Sequence, residues 1–171
     1  MNSPFANLYE SILQRIKALV PEVRYINQDM GQLENYELRP AVSWPCLLID
    51  VDDFKYSQVQ GNTTQMAEGI VTLRLGLVQY TQSDNLVPDN IRPNALAYYE
   101  VEEKITQALH GWAPTGWSRL MREKSGTEKR DDDIRVRVLQ LSCACTYTVE
   151  KIKTKVETPD QVITANLNRG T

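Results

Sequence analysis

Two segments, "MAEGIVTLRLGLVQYT" (66–81) and "DIRVRVLQLSCACTYTVE" (133–150), constrain the fold more than anything else in the chain. Both alternate apolar and polar residues over a span well beyond the roughly 5–6 residues of an ordinary strand, and both slip phase partway. In the first, Val71, Leu73, Leu75 and Leu77 share a face with Thr72 and Arg74 opposite, after which Val78 and Tyr80 carry the apolar character on the other face. In the second, Ile134, Val136 and Val138 oppose Arg135 and Arg137, whereas from Leu139 onward the apolar set is Leu139, Leu141, Cys143, Cys145 and Tyr147. Side chains on a strand alternate strictly, so a slip means either a bulge or a strand with different neighbours along its two halves. If the two segments are antiparallel neighbours, Val78, Tyr80, Ile134, Val136 and Val138 gather into one patch on the face opposite the helices. Either a bulge or the chain's own loops cover that patch, or a neighbouring subunit does, as for apolar area that a monomer cannot bury. These five residues are therefore the candidate subunit interface.

The remaining elements follow from period and punctuation. Residues 4–20 place Phe5, Leu8, Ile12, Ile16 and Leu19 at helical spacing, with Ser3 as N-cap, Pro4 in the first turn and Pro21 as the stop. "VRYINQD" (23–29) is a short strand, 30–43 a loop, and "CLLIDVDDF" (46–54) a central strand running out to the surface at its aspartates. "GNTT" marks a turn before 66–81, and 82–93 has loop composition. Tyr98, Val101, Ile105, Ala108 and Trp112 define a second amphipathic helix over 95–112, capped by Asn94 and ended near Gly111. "GWSRLMRE" (116–123) reads as a further short strand. The order predicts an α+β fold: a small mixed, mainly antiparallel sheet of about four to five strands with two amphipathic helices on one face. With 171 residues, one domain over 1–150 and a polar tail over 151–171, loosely held or ordered by a partner, are expected.

Charge is concentrated in one place. Nine of the twelve residues from 122 to 133 are charged: Arg122, Glu123, Lys124, Glu128, Lys129, Arg130, Asp131, Asp132 and Asp133. Elsewhere the chain is ordinary, with 42% hydrophobic and 24% charged residues and a net charge of −3, which argues against holding nucleic acid through an overall cationic field. The start of the sequence has neither the cationic nor the apolar region of a signal peptide, and no apolar run is long enough to span a bilayer, so no membrane role is expected.

Catalytic patterns are at most fragmentary along the chain. His110 stands alone at a helix end and fits a C-terminal cap better than a triad or zinc centre. Cys143 and Cys145 share a strand face and, with Cys46, read as reduced core thiols, since a neighbouring pair on one face is poorly placed for a disulfide. Asp89 with Glu102, Glu103 and Lys104 imitates a metal-dependent nuclease, but helix and loop positions do not bring such carboxylates to adjacent strand ends. The aspartates 131–133 lack the spaced oxygens and glycine of a calcium loop. No catalytic residue, cofactor or metal site is expected. An enzyme would instead require a deep pocket with carboxylates converging from Asp50, Asp52 and Glu123.

Taken in order, "LYESILQRIKALV", the proline-opened "WPCLLIDVDDF", "EGIVTLRLGLVQYT", "YYEVEEKITQALHGW" and the charged turn feeding "DIRVRVLQLSCACTYTVE" resemble the tail completion, or tail terminator, proteins of tailed bacteriophages. The likeness covers about residues 5–149 and rests on element order and strand-start character; the 30–43 insertion and the tail beyond 150 depart from it. The resemblance implies a small α/β subunit forming a ring, commonly a hexamer, that caps the tail tube in the virion and joins it to the head. Its partners would be its own copies, the tail tube protein and a neck or connector protein, with DNA only as passing cargo. Residues 122–133 would then be a docking or lumen loop, and aspartates facing the lumen would let DNA pass without sticking. A head–tail connector or a tube or baseplate subunit is the nearest alternative.

Overall fold

The computed structural model describes residues 3–34, 42–61, 63–78, 85–86, 88–130 and 134–149. Seven elements follow one another: α1 (Pro4–Leu19), β1 (Tyr25–Gln28), β2 (Cys46–Gln60), β3 (Thr64–Val78), α2 (Arg92–Leu109), β4 (Met121–Glu128) and β5 (Ile134–Thr148). The 151–171 tail lies outside the described residues.

α1 begins as its sequence dictates. Ser3 is extended and its hydroxyl accepts the Ala6 N–H, Pro4 occupies the first turn where its missing N–H costs nothing, and Leu8, Ile12 and Ile16 form the buried stripe. α2 starts earlier than Asn94 would place it. Pro93 sits in the first turn, Ile91 holds the cap position without a side-chain hydrogen bond, and Asn94 lies inside the helix. Here the fixed φ of proline, already suited to a helical first turn, outweighs the capping preference of asparagine. The helix stops at His110, and Gly111 follows at φ 76, a left-handed conformation that suits glycine.

The described strands form a sheet in the order β1-β2-β3-β5-β4, in which β1 runs parallel to β2 and every other pairing is antiparallel. The architecture is thus the expected α+β one: a mixed, mainly antiparallel sheet with both helices on one face. β3 and β5 pair without interruption from Thr64 opposite Thr148 to Val78 opposite Ile134. No bulge separates the two halves of either strand in this pairing, so the phase slip reflects what covers each face.

On the helix side, Leu8, Ile12 and Ile16 of α1 and Ile105, Ala108 and Leu109 of α2 close over Leu47, Ile49, Val71, Leu73, Leu75, Leu139 and Leu141. On the opposite face a second, smaller cluster joins Leu33, Cys46, Leu48, Ile134 and Val136, with Tyr25, Val42, Trp44 and Val138 packed around it. At the far end of the helix side, Phe5, Phe54 and Trp117 meet edge to face at centroid distances of 5.1, 5.5 and 5.6 Å. Gly69 makes room for this cluster, because a Cβ there would lie 2.6 Å from Phe54 Cγ.

β2 continues to Gln60, beyond the expected end at 54, and β3 starts at Thr64 across a turn in which Gly61 has φ 58. The strand of the 116–123 region lies further along, at Met121–Glu128. Much of the charged stretch is therefore strand and not loop. β4 is an edge strand exposed along most of its length, so it needs no apolar alternation, and charged side chains on it discourage pairing with another sheet.

Candidate assembly surface

The patch opposite the helices is drawn together as the register requires, with Val78 beside Ile134 and Gly76 beside Val136. Two of its five residues are nevertheless closed within the chain. Val136 is fully buried and Ile134 is 9% exposed, both beneath Leu33 and the Val42–Trp44 region. Val138 is half-buried at the margin of the same cluster, Val78 is half-buried, and Tyr80 lies outside the described residues. Of the two readings of the phase slip, cover by the chain's own loop accounts for Ile134 and Val136. These two residues offer no free surface to a neighbour.

A charged clamp holds that cover in place. Arg74 of β3 pairs with Asp29 at 3.0 Å, Glu34 at 2.6 Å and Glu128 at 2.8 Å, tying the end of β1, the following turn and the end of β4 to the middle of the sheet. Arg130 extends the clamp, pairing with Glu128 at 2.9 Å and donating to the Leu33 carbonyl at 2.6 Å. Three carboxylates around one guanidinium hold Arg74 firmly protonated despite its partial burial.

The helix side has a matching device. Arg137 forms a two-pronged pair with Glu102 of α2 at 2.5 and 2.9 Å, Glu102 being only 6% exposed, and donates to Thr127 Oγ1 at 2.6 Å. The pairing holds Arg137 more firmly protonated than usual. Arg135 donates to the Tyr98 hydroxyl at 2.7 Å, with its guanidinium 4.5 Å from the ring centre. The arginines that alternate with Ile134, Val136 and Val138 are thus bound by α2, and this half of β5 is covered on both faces. The signal available in the sequence was Glu102, which lies four residues after Tyr98 on the buried side of the helix.

The charged residues of 122–133 divide accordingly. Arg122 donates its backbone N–H to His110 Nδ1 at 3.1 Å and its guanidinium to Thr106 Oγ1 at 3.3 Å, which gives His110 a structural role at the helix end. Glu123 accepts from the Ser142 hydroxyl at 2.6 Å, Lys124 is exposed on the strand, and Lys129 is exposed in the turn. Glu128 and Arg130 belong to the clamp, while residues 131–133 lie outside the described residues. The proposed docking loop is in these respects an edge strand and an internal brace.

Of the carboxylates considered for an enzyme, Asp50 on β2 and Glu123 on β4 are separated by β3 and β5, and the Asp52 side chain lies outside the described residues. Asp50 lines a groove of about 390 Å³ beside α1 together with Asp29, away from Glu123 and its Ser142 partner. Asp89 pairs with Arg92 at 2.9 Å, Lys104 with Glu22, and Glu102 with Arg137. Among the described residues no group of three metal-ligating side chains comes together. All three cysteines are buried and unbonded; burial pushes the Cys46 thiol up to about 11 and Cys143 up to about 12, with Cys145 raised as well. Such thiols are inert at neutral pH.

What remains open is the far end of the sheet. Beyond Phe54 the strands β2, β3 and β5 run on as an arm reaching to the turn at Gly61, with Tyr56 52% exposed and Val59 55% exposed.

This arrangement has a solved counterpart. The fold is similar to that of a chain in the virion of a native gene transfer agent (GTA) particle. The match covers 86% of this chain and 100% of that one, with a TM-score of 0.54 and 10% sequence identity. No protein-family model matches the sequence, and no curated protein does.

Proposed function

We propose that the chain is a structural subunit of a phage-like virion, not an enzyme, and that its copies form a ring capping the tail tube and joining it to the head. The observation that carries this reading is the likeness of fold to a GTA virion chain, whose entire length is matched by 86% of this one. The distribution of chemistry supports it. The ionic groups of the 122–130 region largely brace the fold, Asp29, Glu34, Glu102 and Glu128 are held in ion pairs with arginines, and the thiols are buried. In this reading the partners are further copies of the chain, the tail tube protein and a neck or connector protein, and DNA is cargo passing through the ring. The resemblance to tail terminators favours a hexamer at the tail–neck joint.

Negative-stain electron microscopy of the purified protein separates this role from its neighbours. A terminator gives closed, single-layer rings. Open-ended stacks that lengthen with concentration would mark a tube subunit and overturn the capping role.

A further inference from the structure

The two outer edges of the arm differ from the outer edge of the sheet beside it. β1 pairs with β2 only over residues 46–49, so among the described residues the 55–60 stretch of β2 has no strand on its outer side. β4 pairs with β5 only as far as Ser142, and the Ser118 contact with Ala144 ends the cover there, leaving 145–149 similarly open. From 56 to 67 and from 138 to 149 the sequence contains no charged residue, in a chain that is 24% charged. β4, by contrast, protects its edge with Arg122, Glu123, Lys124 and Glu128. Long strand edges without charges are templates for another strand, and soluble proteins ordinarily blunt them. Exposed Tyr56, Val59 and Val149 flank these edges, and aromatic and apolar residues with few charges are the composition of interface centres.

We infer that copies of the chain join head to tail through the arm, the 145–149 edge of one copy pairing in parallel with the 56–60 edge of the next, beyond Lys55. This rests on the ring reading. The occupant is a second copy because of strand direction: β2 and β5 both run antiparallel to β3, hence parallel to each other. Rotation about an axis along the strands preserves that direction and brings the β5 edge of one copy against the β2 edge of the next, which is the condition for a closed cyclic contact. Pairing β2 with β2 would reverse direction and stop at a dimer.

The test uses two single variants of the full chain, Ser57→Cys and Thr146→Cys, with a short bis-maleimide under conditions where the mass is also measured. Crosslinked dimers are expected when the two variants are mixed and absent when either is treated alone. Rings that form without the mixed crosslink would overturn the edge pairing and leave the ring reading intact. A monomer at every concentration would overturn both. Crosslinks in Ser57→Cys alone would replace the cyclic contact with a two-fold one. Amides 56–60 already protected from exchange in dilute monomer would show that the chain covers this edge itself, again overturning the inference.

Discussion

Gly76 shows how little room the second cluster leaves. A Cβ at this position would lie 2.7 Å from Cys46 Sγ, 2.8 Å from Trp44 Cζ3 and 3.3 Å from Leu33 Cδ2. Gly76→Ala should therefore destabilise the protein by about 1–3 kcal/mol through overpacking, read as a lower midpoint in urea; an unchanged midpoint would mean that the loop cover moves aside freely. The thiols make a second residue-level prediction. Burial raises Cys46 to about 11 and Cys143 to about 12 from an ordinary 9.0, so the fold favours their neutral forms. Their contribution is complete below pH 9 and is lost as pH rises from about 9 towards 12. Native protein at pH 8 should react slowly with Ellman's reagent, and denatured protein should release all three thiols at once; rapid native labelling would contradict their burial. That the cysteines are core groups was readable from their place on an alternating strand, whereas the crowding at Gly76 was not, because it depends on Leu33 and Trp44 folding back over the sheet.

The elements differ in how far the sequence revealed them. α1 was legible almost to the residue because cap, proline and apolar stripe agree, and β3 and β5 because their alternation is long. β4 was misplaced because an exposed edge strand has no buried face to impose a period. The double cover of β5 was half legible: the slip in phase announced two neighbours, but no pattern in the sequence paired Arg135 and Arg137 with Tyr98 and Glu102 of α2. Glu102→Ala should leave Arg137 buried without its carboxylate and cost about 3–5 kcal/mol, whereas Lys124→Ala on the exposed strand should change stability by less than about 0.5 kcal/mol. Equal effects, measured by thermal unfolding, would contradict the division between brace and surface. Val136→Asp places a carboxylate among Leu33, Cys46 and Leu48 and should prevent stable folding. A well-folded Val136→Asp chain that merely failed to assemble would restore this residue to the subunit interface.

At the scale of the molecule, a sheet covered on both faces near its helices runs out into an arm that carries no charge beyond the Lys55–Glu68 row. The α+β class and the helices' common face were legible because they depend on patterns local to each element. The location of the free surface was not, since it depends on which strand ends outrun their neighbours. The charged stretch, expected as a docking or lumen loop, instead places much of its charge in the clamp around Arg74 and on the edge of β4. Light scattering over a range of protein and salt concentrations tests the central claim most directly. A ring-forming subunit gives one discrete mass, a fixed multiple of 19.5 kDa, reached as concentration rises and largely insensitive to salt if neutral strand edges join the copies. A mass of 19.5 kDa under every condition would contradict it.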